Sequence, residues 1–394
     1  MFRSVRLRRW TSTRTRETLM RDYYGSLDGV RGVGILFVLG YHYLLLNGYD
    51  WSTIGFSWIW IQMFFVQSGF LITRILLDAK GESIRKYLGQ FYWRRVLRIF
   101  PVYFGYLLLA TVTSVLFDVP EEFGRRAPAL FSFTYNFADI ARVIARANLW
   151  FIHFWSLSLE EQFYFVWPLL VFVLGIRSLR LLVVSVIILA PLFRFWFVQH
   201  LMAGGLSGEM SGRVSYSFTI SQLDALAAGA AIPILNLQRH VRKTGRWVAG
   251  MACLLLVAGV LNYLALRQQG LTISVTSLGL SGGMVNNLQH VWSYSLVNLL
   301  FLFVILHLTT VRYRGIFTAP VFVRIGKIAF GMYVLHMAVL IAFNWLNAKY
   351  LHSVALSFAM GFGATFLLAD LSYRHFERRF LAMKDSWIGE PRHV

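Results

Sequence analysis

The sequence predicts an all-α, polytopic integral membrane bundle of about ten transmembrane helices with no soluble domain. Three observations predict it. Of the 394 residues, 57% are hydrophobic and only 14% charged, with a mean hydropathy of +0.58, whereas a soluble domain carries nearer ~25% charge. The apolar residues gather in runs long enough to cross a hydrocarbon layer about 30 Å thick. The net charge of +20 is spread in short clusters between those runs, as it is in membrane-protein loops. Such dispersal argues against nucleic acid as a partner, which calls for one basic face or domain.

Taken in order, the runs are approximately 29–47, 54–73, 100–117, 150–175, 180–199, 217–236, 247–265, 290–309, 328–347 and 353–371. A further apolar stretch at 127–138 is too short to span and reads as re-entrant or interfacial. Residues 1–27 form a basic tail with no apolar centre, so no cleavable signal peptide is visible. The tail reads as amphipathic or disordered chain that lies on anionic lipid. Residues 381–394 form a second tail. The single cysteine, Cys253, sits in an apolar run and reads as filler.

The loops set the orientation. One alternating set carries the cations: the N-terminal tail, 74–98, 176–180, 237–246, 312–327 and the C-terminus. In the other set, Arg125, Arg126, Arg142 and Arg146 are offset by Asp118, Glu121, Glu122 and Asp139. The positive-inside rule then places both termini in the cytoplasm and requires an even number of spans.

Ionisable residues inside such runs are expensive and usually functional. The first run holds Asp28, Arg31 and His42. Arg31 and His42 are eleven residues apart, close to three helical turns, hence on one face and about 16 Å apart along the axis. Arg31 alone also fits a snorkelling anchor. The fourth run opens with His153, Trp155 and Ser156 at the outer mouth and continues to Glu160 and Glu161. Counted from the outer end, the two glutamates fall at about the depth of His42, where either one can orient the imidazole as a general base. Trp155 also fits an interfacial anchor.

Arg95 and Arg98, three apart where the third run begins, share a face suited to bidentate phosphate binding, although by residue type alone topology-setting charge is the better explanation. Ser68-Gly69 reads as a close helix contact. Gln222 and Asp224 in the sixth run call for partners. His336 in the ninth either lines a substrate path or bonds a backbone carbonyl. Arg374, Glu377 and Arg378 read as a structural charge cluster. The sequence has no phosphate-binding Gly-x-x-x-x-Gly-Lys loop, no His-Glu-x-x-His and no cysteine pair, so ATP hydrolysis, zinc proteolysis and redox cofactors find no support, and no metal is expected.

Several of these stretches occur together and in order: Leu-Asp-Gly-Val-Arg-Gly at 27–32 with the arginine–ten residues–histidine pattern ending at His42, Phe-Phe-Val-Gln-Ser-Gly-Phe-Leu-Ile-Thr at 64–73, Arg-Arg-Val-Leu-Arg-Ile-Phe-Pro at 94–101 and Phe-Trp-Ser-Leu-Ser-Leu-Glu-Glu-Gln-Phe-Tyr at 154–164. Leu-Asp-Ala-Leu-Ala-Ala-Gly at 223–229, Tyr-Val-Leu-His at 333–336 and Ser-Tyr-Arg-His-Phe-Glu at 372–377 add weaker matches. The set resembles the acyltransferase-3 family of integral membrane O-acyltransferases over residues 28–380, and departs from it at Gln67, where leucine or isoleucine is usual, and at Phe154. Some relatives carry an added esterase-like domain; none is expected here.

The resemblance implies transfer of an acyl group, usually acetyl from acetyl-CoA, to a hydroxyl of an extracytoplasmic or lipid-linked glycan, by a protein of the bacterial inner membrane. On that reading, Arg31 with Arg95 and Arg98 holds the donor. His42, with Glu160 or Glu161, takes the acceptor proton or carries the acetyl group. Asp28, His153, Trp155, Ser156 and His336 contact substrate. The partners are acetyl-CoA, a glycan or glycolipid acceptor and the bilayer. The competing class is a transporter or flippase that moves an acyl group or lipid-linked saccharide without making a bond. The sequence contains no inverted repeat to favour it.

Overall fold

A computed structural model describes residues 13–48, 55–116, 123–138, 149–311, 313 and 315–384, with side chains from residue 25 onward except at 114 and 116. Among them there is no β-strand. The all-α membrane bundle is therefore the fold. The expected loop charges Asp118, Glu121, Glu122, Asp139, Arg142 and Arg146 lie outside the described residues.

The long helices are α1 (Thr13–Leu46), α2 (Ile59–Asp78), α3 (Ile84–Leu116), α4 (Phe154–Val173), α5 (Ile176–Ala203), α6 (Gly208–Ser217), α7 (Thr219–Ile234), α8 (Thr244–Gln268), α9 (Gln289–Thr310), α10 (Pro320–Lys327), α11 (Ala329–Leu346) and α12 (Val354–Ser372). Among the described residues, eight helices are long and apolar enough to cross a membrane, and a ninth crossing appears if α6 and α7, bent by 48° at Phe218, count as one span. The tenth expected span is α4, a 20-residue helix. It falls outside that group because Glu160, Glu161 and Gln162 interrupt its apolar run. Helix α1 starts at Thr13, so helix runs from the basic N-terminal segment into the first span without a break.

The bundle is layered by burial. Helices α1, α2 and α9 are central, while α5 and α8 present leucine, isoleucine and valine outward, with Leu181 71% and Leu261 62% exposed. In a soluble protein such faces would be a liability; toward lipid they cost nothing.

Glycines bring the central helices together. A Cβ at Gly69 would overlap the Leu226 carbonyl, and one at Gly229 would overlap that of Val66, so α2 and α7 touch backbone to backbone. Gly29 and Gly32 do the same for α1 against Phe317 and Phe322, and Gly326 admits the carbonyl of Asp28. Ser68-Gly69 thus makes the close contact expected of it.

The polar groups of the sixth span find partners. Asp224 on α7 accepts both arms of Arg194 from α5, and Gln222 bonds Gln62 of α2 and the Tyr216 carbonyl. The short segment Ala127–Phe131 and the turn after it pack against α3, α4 and α7 through Tyr103, Gln162 and Asn136. At the basic end, Asp370 pairs with Arg324 and Arg374, and Ser372 donates to Glu377 at 3.1 Å.

Candidate functional site

Helix α1 carries one stripe of residues at helical spacing: Asp28, Arg31, Ile35, Val38, His42 and Leu45. The steps of three and four keep all six on one face. That stripe lines two cavities in succession.

The larger cavity, about 450 Å³, lies at the basic end and is lined by Asp28, Arg31, Arg95, Arg98, Ser68, Glu160 and Tyr164, with an apolar remainder that includes Ile35 and Ile61. The structure thus brings Arg31, Arg95 and Arg98 around one space. Arg31 pairs with Asp28 at 3.3 Å. Arg95 lies over the rings of Phe91 and Tyr164, and its Nε is buried without a hydrogen-bond partner among the described residues. Three guanidiniums face two carboxylates, so the cavity carries a surplus positive charge and spare donors. An anionic ligand would satisfy both.

Gln67, the departure noted above, donates to the Leu27 carbonyl at 2.9 Å and so ties α2 to α1 one turn before Arg31.

The second cavity, about 50 Å³, is lined by Val38, His42, Leu45, Ile152, His153, Trp155 and Tyr216, among others. Ile61, Ser156 and Tyr333 line both spaces. They form the neck between the cavities. The Tyr333 hydroxyl bonds the His153 carbonyl and lies 3.0 Å from Ser156 Oγ.

Two histidines, His42 and His153, line this second cavity, and His336 packs against both. His42 and His336 have ring centroids 4.9 Å apart, and His153 lies 4.7 Å from His336 and 6.5 Å from His42. His336 Nδ1 is 2.6 Å from the Tyr333 carbonyl, and His336 Nε2 is 3.1 Å from His42 Nδ1. A carbonyl only accepts, so His336 Nδ1 carries the proton. In a neutral ring its Nε2 is then an acceptor, and His42 Nδ1 must donate to it. The relay leaves the lone pair of His42 on Nε2. For His153, neither ring nitrogen has a partner among the described residues.

The expected pairing of His42 with a glutamate does not occur. Glu160 lies in the larger cavity beside Arg31, Arg95 and the hydroxyls of Ser68 and Tyr164. Glu161 turns away toward α3, with Oε1 buried and unpartnered among the described residues. The depth estimate failed because α4 begins at Phe154, with His153 already at the level of His42, which is four residues from the end of α1. Glu160, seven residues beyond His153, is therefore about 10 Å deeper.

Of the two roles considered for His336, the structure shows the bond to a backbone carbonyl, that of Tyr333, and adds a contact with His42; His336 is not among the residues lining either cavity. Asp28 contacts Arg31, and Trp155 and Ser156 line the smaller cavity. Sequence reading missed Tyr333 and Tyr164, whose hydroxyls carry no signal in a run of aromatics. It also missed Arg194, whose charge within an apolar run was visible. Among the described residues, no group of three or more His, Cys, Asp or Glu could hold a metal ion.

Residues 24–374 match the family described as an acyltransferase domain. The chain is 28% identical over 389 aligned residues to the peptidoglycan O-acetyltransferase OatA of Listeria monocytogenes, covering 91% of this chain and 56% of that protein. It is 32% identical over 194 residues to the putative peptidoglycan O-acetyltransferase YrhL of Bacillus subtilis, covering 44% of this chain and 28% of that one. A putative O-acetyltransferase of Staphylococcus aureus is 25% identical over 390 residues, with 91% and 57% covered. The chain thus spans less than two thirds of the length of each of these relatives. No solved structure matches it.

Proposed function

The chain belongs to the acyltransferase-domain family over residues 24–374, and on that premise we propose that it is a membrane O-acetyltransferase moving acetyl from acetyl-CoA to a glycan hydroxyl across the bilayer. The observation that carries the reading is the α1 stripe, which passes from a cationic cavity at Arg31 to a lone-pair imidazole at His42. The basic loops mark the cytoplasmic side, where CoA is made. Arg31, Arg95 and Arg98 would hold its phosphates, and the pantetheine arm would run along Ile35 and Ile61 to the neck. Relatives named for peptidoglycan favour an N-acetylated cell-wall glycan as acceptor, and a bacterial plasma membrane as the site of action.

In the reaction, the acceptor hydroxyl enters beside His42 from the side opposite the donor. His42 Nε2 takes its proton as the oxygen bonds to the thioester carbonyl carbon. The carbon–sulfur bond then breaks, and the thiolate leaves and recovers the proton from the imidazolium. His336 holds the required tautomer through His42 Nδ1. We expect His336→Ala to lower kcat at least tenfold. His336→Gln, whose amide oxygen can accept from Nδ1, should restore part of the loss, and equal loss in both variants would deny the relay.

At the donor end, Arg95→Ala and Arg98→Ala should each weaken CoA binding several-fold by calorimetry in detergent, because each removes a charge-assisted partner of a phosphate. Unchanged affinity would reduce the pair to topology signals. The function itself is tested with purified protein, radiolabelled acetyl-CoA and a chito-oligosaccharide. A covalently acetylated sugar is expected. Movement of label across proteoliposomes with no acetylated product would favour a transporter.

A further inference from the structure

We propose that the small chamber around His42 sets the length of the acyl group, and that Val38 and Leu45 are the residues that set it. The inference rests on the donor reading above.

The two cavities differ about ninefold in size, about 450 Å³ against about 50 Å³. A buried water needs about 10–15 Å³ on this measure, so the smaller space holds about three to five water-sized groups. An acetyl group has three heavy atoms. Helix α1 fixes the walls: Val38 is four residues before His42 and Leu45 three after it, so both side chains flank the imidazole on its own face. Val38 is 2% exposed, so it has little freedom to move aside. Ile61, Ser156 and Tyr333 line both spaces, so the neck they form is the boundary of the chamber on the donor side.

A thioester carbonyl presented at the neck therefore places its acyl tail inside the chamber, where the acceptor hydroxyl must also reach His42 Nε2. Each added methylene takes space that the hydroxyl needs. One methylene in an apolar pocket changes discrimination by about 10–200-fold.

The test uses the full chain in detergent, with acetyl-, propionyl- and butyryl-CoA as donors, a chito-oligosaccharide acceptor and mass spectrometry of the product. The wild type should favour acetyl over butyryl by about 100-fold or more in kcat/KM. The double variant Val38→Ala/Leu45→Ala should raise the butyryl-to-acetyl ratio at least tenfold. Val38→Phe should cut acetyl transfer at least tenfold with CoA affinity unchanged, and it decides the matter if the enlarged variant does not fold.

A folded double variant with the wild-type ratio, or a wild type that transfers butyryl as readily as acetyl, overturns the inference and leaves the donor reading standing. If CoA does not bind and no acyl-CoA of any length reacts, the donor reading falls and the inference with it.

Discussion

Replacing His42 by alanine should abolish acetyl transfer by a factor of about 10²–10⁴ while leaving the protein folded and able to bind CoA. The magnitude is what a positioned general base contributes. The separation of effects follows from geometry. His42 lines only the smaller cavity, while the arginines line the larger one. The substitution also spares the packing that holds the bundle together, because His42 bridges to α11 through one hydrogen bond at 3.1 Å. The loss should therefore appear in kcat, with donor affinity by calorimetry and the detergent melting curve close to wild type. Near-normal acetylation by well-expressed His42→Ala protein would remove the imidazole from the reaction.

The second large effect is on stability. Arg194 is fully buried, 2.9 Å from Asp224 across α5 and α7, and it also donates to the carbonyls of Ser221 and Val291 and to Ser295. Tyr294 lies under the guanidinium at 5.0 Å. A buried pair of this kind contributes little relative to well-packed apolar groups, yet removing one partner strands the other charge at a cost of about 3–5 kcal/mol. Against a typical total of about 5–15 kcal/mol, that is a large share. Asp224→Ala should accordingly accumulate poorly and melt well below wild type by fluorescence-detected size exclusion. The double variant Arg194→Met/Asp224→Leu should recover most of the difference. Because the pair lines neither cavity, the recovered protein should still transfer acetyl. An Asp224→Ala protein that melts like wild type would show that Arg194 finds other compensation.

The helical character of the chain was legible because the apolar period and loop charges repeat along its whole length. The α1 stripe was legible in part: Arg31 and His42 stand out as ionisable residues in an apolar run, and a rise of 1.5 Å per residue places them on one face. What one dimension hid was relative depth between helices. Glu160 looked level with His42 only because α4 was taken to start at the outer face, whereas its first turn already lies at the level of His42, and the resulting offset of about 10 Å is enough to exchange partners. The pairing of His42 with His336, 294 positions away, has no local signature. The neck was hidden for a different reason, since Tyr333 and Ser156 become special only by meeting.

We propose that donor and acceptor are served from opposite faces of the bilayer through one passage along α1. Sealed vesicles of oriented protein test it directly, with acetyl-CoA confined to the side of the basic loops and a membrane-impermeant chito-oligosaccharide on the other. Acetylated sugar is expected outside and free CoA inside, with no product when the two substrates are exchanged between sides. Acetylation only when both substrates are on the same side would contradict it.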